Sequence, residues 1–213
     1  MSSARFSWKK FSAVPIVGIV RNNSFEDLIK ILPIYVNSGL NTIEITMDTA
    51  KAEEMIRYAR NNYDYELNVG AGTVCEVSEL RRAIDAGAQF IVTPILNKKV
   101  IKICVKENIP VFSGAFSPTE IYKAWSLGAS VVKVYPATSL GAQYIKDIKT
   151  PLPQIKLMPT GGINLINFAG FMETGAASYG VGSQLFDKKH IENKNWDELG
   201  KHFAAFVEKI KKK

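Results

Sequence analysis

A lysine stands in the middle of a β-branched run, Val131-Val132-Lys133-Val134-Tyr135. Such a run is expected to be buried, and an ammonium is costly there, so the amine tends toward its neutral form. A neutral lysine in a dry pocket attacks carbonyl carbon. The bland reading is a lysine whose stem lies on apolar surface while its head reaches water or an acid; the central position of Lys133 in the run favours chemistry. Glu44 has the same status between Ile43 and Ile45. A carboxyl group in an apolar strand needs a partner or a raised pKa, and either makes it a candidate general acid–base group. Its bland reading is an ion pair with Lys133, which would still bring the two side chains together.

Two glycine segments, Thr160-Gly161-Gly162-Ile163-Asn164 and Gly180-Val181-Gly182-Ser183, each follow a short apolar run. Glycine lets backbone N–H groups approach an anion closely, so the pair suggests a phosphate cradle; one such loop alone would be ordinary turn chemistry. Metal chemistry has little support. His190 and His202 are the only histidines and lack ligand spacing, so both are expected at the surface, and no metal site is expected.

Positioning these groups requires a scaffold, and its punctuation is regular. A helical stretch ends at glycine and an apolar run follows at Ser38-Gly39-Leu40, Ala86-Gly87-Ala88, Leu127-Gly128-Ala129 and Thr174-Gly175-Ala176. Glycine at that place closes a helix in the left-handed conformation. Ser117-Pro118-Thr119-Glu120 and Asn195-Trp196-Asp197-Glu198 carry helix-start spacing, and Ser24 and Asn164 are further caps. The apolar runs are continuous, as parallel strands read when both faces are covered. Strands are expected near 14–20, 41–46, 66–70, 89–93, 109–112, 130–135, 155–158 and 177–181, with helices between them and one at the N-terminus. Eight βα units predict a single (β/α)8 TIM barrel domain over residues 1–213. The alternative, an open doubly wound sheet, is weak because Gly70-Ala71-Gly72 lacks the third glycine of a dinucleotide fingerprint.

Active sites of this barrel form at the C-terminal ends of the strands. That rule selects Arg21, Glu44, Thr46, Asp48, Thr73, Thr93, Pro94, Lys133, Pro136, Thr160, Gly161, Gly162 and the segment Gly180-Val181-Gly182-Ser183.

Composition narrows the class. The 213 residues are 46% hydrophobic and 22% charged, ordinary for a globular domain able to bury its own core. Two cysteines give no disulfide framework, and no apolar run approaches a membrane span, so the expected location is the cytoplasm, without a membrane partner. The net charge of +7 gathers partly in Lys209–Lys213, expected to be a frayed helix end. Without an aromatic–basic stripe it reads as a solvated surface, and no nucleic-acid partner is expected.

Taken in order, Glu44-Ile45-Thr46, Val69-Gly70-Ala71-Gly72-Thr73-Val74, Gly87-Ala88-Gln89-Phe90-Ile91-Val92-Thr93-Pro94, Lys133-Val134-Tyr135-Pro136-Ala137, Pro159-Thr160-Gly161-Gly162-Ile163 and Gly182-Ser183 resemble the 2-keto-3-deoxy-6-phosphogluconate (KDPG) and 4-hydroxy-2-oxoglutarate (KHG) aldolases. The related 2-keto-3-deoxy-6-phosphogalactonate (KDPGal) aldolases share the pattern. The resemblance implies a class I aldolase, a lyase with neither metal nor other cofactor. Lys133 would be the Schiff-base residue, Glu44 the proton shuttle, and Thr73 and Pro94 would line the pyruvate end. It implies a phosphorylated keto sugar acid as substrate, cleaved to pyruvate and glyceraldehyde 3-phosphate, with 4-hydroxy-2-oxoglutarate a second substrate giving glyoxylate. It also implies a homotrimer. The chain departs from many members in carrying Asp48 where they have an arginine that holds the keto acid's carboxylate. Galactonate-type members also lack that arginine, and Arg21 is the candidate to supply the positive charge. The leading alternative is a phosphosugar isomerase or epimerase on the same barrel, which would share the glycine loops without needing a neutral lysine. A non-catalytic anion-binding barrel ranks with it, below the aldolase.

Overall fold

The computed structural model describes residues 5–212. Helix α1 (Trp8–Ala13) comes first. Eight βα units follow: β1 (Ile16–Val20) and α2 (Phe25–Asn37), β2 (Thr42–Thr46) and α3 (Ala52–Tyr63), β3 (Asn68–Gly72) and α4 (Val77–Asp85), and β4 (Ile91–Val92) and α5 (Lys98–Lys106). The second half has β5 (Val111–Ala115) and α6 (Pro118–Ser126), β6 (Val131–Val134) and α7 (Ala137–Lys149), β7 (Leu157–Pro159) and α8 (Phe168–Met172), and β8 (Tyr179–Val181), after which come α9 (Lys188–Glu192) and α10 (Trp196–Lys211).

All pairings are parallel, and β1 lies between β2 and β8. The seam between β7 and β8 is closed by a hydrogen bond from Ala177 N–H to the Leu157 carbonyl (2.9 Å) and by a bridge between Thr160 and Gly180. The fold is therefore the expected (β/α)8 barrel in one domain.

The helix boundaries follow from local chemistry. Gly39, Gly87, Gly128 and Gly175 all adopt positive φ, between 75° and 97°, at the helix-to-strand junctions. Ser117 and Glu120 form a reciprocal capping box at α6, and Ser24 Oγ accepts from Asp27 N–H at α2. Asn195 precedes α10 without a side-chain cap. Asn164 does not cap α8: it lies four residues before the helix begins, and its Oδ1 accepts from Ile166 and Asn167 N–H, so it shapes the turn ahead of it. α10 stays helical through Lys211, further than a frayed end would, while Lys213 lies outside the described residues.

Strand alternation divides the core in two. Val132 and Val134 join the large cluster under the helices, as do Ile43 and Ile45. Val131, Val17, Phe90, Val92, Phe112 and Met158 instead form a separate cluster inside the barrel. Lys133 shares the inner face with Val131, and Glu44 sits on that face between its two outward neighbours. Phe6 and Phe11 close this inner cluster from the start of the chain, with Phe6 5.2 Å from Phe90 and Phe11 5.4 Å from Phe112 between ring centroids. Asn68 fixes the plug by accepting from Ser7 N–H (2.8 Å) and donating to the Ser7 carbonyl (3.0 Å).

Candidate active site at the mouth of the barrel

Small residues make room above the aromatic floor. β3 continues through Gly70-Ala71-Gly72 and β5 through Ser113-Gly114-Ala115, two and three residues past the expected strand ends. In these strand ends the space of the missing side chains is filled by neighbours. Phe90 occupies the space over Gly70, and the Pro94 backbone lies over Gly114. Thr93 pins this second approach, its Oγ1 accepting from Gly114 N–H (3.0 Å) and donating to the Ile95 carbonyl (2.6 Å).

A cavity of about 910 Å³ opens at the C-terminal ends of the strands. Of the expected site residues, Arg21, Thr73, Pro94, Lys133, Thr160, Gly161, Gly162, Gly182 and Ser183 line it. Glu44 and Thr46 do not. Glu44 is fully buried behind the lining, and the Thr46 hydroxyl is engaged with Thr49 Oγ1 at 2.9 Å, so Thr46 anchors a turn where direct substrate contact was expected.

Lys133 is 4% exposed and points into the cavity from β6, 5.4 Å from the centre of the Tyr135 ring. Burial pushes its amine below the usual lysine value. Glu44 opposes that shift, while the Arg21 charge adds to it. Burial likewise pushes the Glu44 carboxyl above the usual range, against the pull of Lys133 and Arg21. Neither carboxyl oxygen of Glu44 has a hydrogen-bond partner among the described residues, and no direct ion pair joins it to Lys133. Burial thus pushes both groups toward their neutral forms, each against the pull of the other's charge.

The same cavity is lined by the glycine loops after β7 and β8. Gly161 and Gly162 adopt φ of 100° and 67°. The amides of Gly162 and Ser183 donate to no backbone acceptor among the described residues, while that of Gly161 faces the Gly180 carbonyl across the Thr160–Gly180 bridge. Free N–H groups in glycine loops that line a cavity suit a tetrahedral anion. Among the described residues no group of three or more His, Cys, Asp or Glu side chains could hold a metal ion.

Residues 8–202 match the sequence model of the family described as KDPG and KHG aldolase. The chain belongs to that family. It is thus an aldolase, a lyase. It is 33% identical to the 2-dehydro-3-deoxy-phosphogluconate aldolase of Haemophilus influenzae, over 95% of this chain and 96% of that protein. It is 28% identical to the 2-dehydro-3-deoxy-6-phosphogalactonate aldolase of Escherichia coli, over 91% and 93%. Among solved structures it resembles native KDPGal (TM-score 0.88, 27% identity, 98% of each chain). It also resembles the Legionella pneumophila KDPG aldolase with pyruvate captured as a covalent carbinolamine (TM-score 0.86, 27% identity, 92% of this chain and 96% of that one).

The aldolase cavity has further walls that strand-end reasoning passed over. Tyr135 lies two residues beyond Lys133 and so shares its direction, a signal already present in the alternation. Asn22, Asn23 and Asp27 from the β1–α2 segment and Gln184, Lys188 and Glu192 at and before α9 form a polar rim with no motif to announce it. No helix among the described residues is long and apolar enough to cross a membrane.

Proposed function

We propose that the chain is a Schiff-base aldolase that cleaves a 2-keto-3-deoxy-6-phospho sugar acid, of gluconate or galactonate configuration, to pyruvate and glyceraldehyde 3-phosphate. The observation that carries this reading is a buried Lys133 in one cavity with the glycine loops, electrostatically coupled to a Glu44 buried behind the lining, with burial shifting both toward neutrality. The names of the relatives and the pyruvate carbinolamine in the Legionella enzyme support it.

The neutral amine of Lys133 adds to the C2 ketone, and the amine proton passes to the new oxygen to give a neutral carbinolamine. Glu44 donates its proton to the departing hydroxyl, water leaves, and a cationic imine remains beside the Glu44 carboxylate. Desolvation then works in the opposite direction, because the new ion pair sits where each charge stabilises the other. The Glu44 carboxylate removes the C4 hydroxyl proton. The C3–C4 bond breaks, its electrons pass into the imine, and the aldehyde departs from a neutral enamine. Glu44, protonated again, delivers that proton to C3, and hydrolysis of the imine releases pyruvate and restores both groups. The amides of Gly162 and Ser183 hold the phosphate, which fixes the length of chain between that anion and Lys133.

The same centre would cleave 4-hydroxy-2-oxoglutarate to pyruvate and glyoxylate, since all bond changes occur on the first four carbons. This substrate has a carboxylate where the sugar acid continues toward its phosphate, so we propose it as the weaker of the two. We propose the cytoplasm as the location and a homotrimer as the assembly, both from family resemblance.

Borohydride reduction in the presence of pyruvate, read by peptide mass spectrometry, tests the chemistry. A reduced pyruvyl adduct on Lys133 is expected. A folded protein that forms no adduct would leave the phosphosugar isomerase as the better reading.

A further inference from the structure

Arg21 leaves the end of β1, lines the cavity, and is held on two sides. Its Nη1 donates to Asp48 Oδ2 at 3.0 Å, and its Nη2 donates to Thr73 Oγ1 at 2.7 Å. Asp48 is not among the residues lining the cavity, so it grips the guanidinium from outside. The turn that carries Asp48 is itself pinned. Met47 N–H donates to the Gly72 carbonyl (2.8 Å) and Thr49 N–H to the Thr46 carbonyl (2.9 Å). Thr49 Oγ1 pairs with the Thr46 hydroxyl (2.9 Å) and accepts from Asn22 N–H (3.1 Å), which joins this turn to the segment just after Arg21.

A guanidinium carries five N–H donors in a planar fork. Two are used here, which leaves the others for an acceptor in the cavity that Arg21 shares with Lys133. With its side chain 47% exposed, Arg21 would lose this aim without the clamp, because a long half-exposed side chain samples many rotamers and gives up that freedom on binding. We infer that Asp48 is a positioning residue that holds the Arg21 guanidinium ready for the carboxylate of the keto acid, and so sets affinity for the α-keto acid end of the substrate.

Position and charge make opposite predictions here. If Asp48 acted through its charge, removing that charge would tighten the binding of an anion. If it acts by holding Arg21, an acceptor of the same shape suffices and truncation weakens binding. The inference rests on the Schiff-base reading above, and its test separates the two. Half-saturation of borohydride trapping is measured with pyruvate and with its uncharged methyl ester, on wild type, Asp48→Asn and Asp48→Ala. Loss of one charge-assisted hydrogen bond predicts a pyruvate half-saturation about tenfold higher in Asp48→Ala. Asp48→Asn should stay within about threefold of wild type, since an amide oxygen still accepts from Nη1. The methyl ester should respond equally in all three proteins. A wild-type adduct with unchanged pyruvate half-saturation in Asp48→Ala overturns the inference alone, as does tighter pyruvate binding in Asp48→Asn. An equal loss for the ester in Asp48→Ala overturns it too, because the damage is then not to carboxylate recognition. No adduct in wild type overturns both readings.

Discussion

A methyl group on Gly72 would lie 2.9 Å from Cδ of Glu44 and closer still to Oε1, so the absence of that methyl is what lets the carboxyl stand where it does. Glu44 is fully buried and has no open space to retreat into. Gly72→Ala should therefore displace the carboxyl proposed as proton shuttle while leaving Lys133 in place. A misplacement of about 1 Å is enough to cost roughly a hundredfold in rate. The expected result is a kcat lower by about that factor with pyruvate trapping at Lys133 retained. Equal loss of trapping and turnover would mean that Gly72 serves the strand and not the carboxyl.

Lys133→Met should abolish the adduct and turnover and raise thermal stability. Burial disfavours the ammonium in the folded state, so below the usual lysine value of 10.5 the unfolded chain binds a proton that the folded chain resists. Stability therefore rises with pH across the interval between the lowered value and 10.5, and is lower below it. An apolar side chain of similar shape removes that penalty. Each kcal/mol recovered is expected to appear as about 2–4 °C in Tm for a chain of this size. Calorimetry at pH 7 and pH 10 should show the larger gain at pH 7.

On the proposed chemistry the same lowered value shapes the rate of imine formation. The amine form attacks, so the rate climbs with pH and levels off once Lys133 is deprotonated. The plateau should begin below 10.5. Arg21 contributes to holding the amine down, so Arg21→Leu should move the limb to higher pH. Stopped-flow rates with pyruvate across pH 6–10 would read both shifts, and an unmoved limb in Arg21→Leu would show that its charge does not reach the amine.

Gly162 adopts φ of 67°, and a Cβ there would lie 3.1 Å from the Thr138 Cβ and overlap its methyl. Gly162→Ala should disturb the loop proposed to hold the phosphate. One lost charge-assisted hydrogen bond predicts KM for a phosphorylated substrate up by about tenfold. Pyruvate trapping should be unaffected, and a matching rise in its half-saturation would place the damage at the keto-acid end.

The chemistry-bearing residues were legible because they violate their surroundings: Lys133 and Glu44 are charged groups inside apolar runs, and strand alternation then fixes the face they share. The glycine junctions located the helix ends for the same reason, since positive φ excludes most other residues. Gly70-Ala71-Gly72 and Ser113-Gly114-Ala115 were harder, because a strand that yields its side-chain space to Phe90, Glu44 and Pro94 has the composition of a turn. Thr46 was expected to touch substrate, and only the Thr49 hydroxyl shows why it anchors a turn instead. Asp48 read in sequence as a lost positive charge. Its contact with Arg21 spans 27 residues, and no local pattern carries that information.

The aromatic plug of Phe6 and Phe11 has a consequence for traffic. With the far end sealed against Phe90 and Phe112, everything that reaches Lys133 enters and leaves through one doorway. On the proposed chemistry the phosphorylated aldehyde lies nearer that doorway than the three carbons bound to the lysine. The order of departure is then imposed by depth: aldehyde first, pyruvate last. In the synthetic direction the queue reverses, and pyruvate must be seated before the aldehyde arrives.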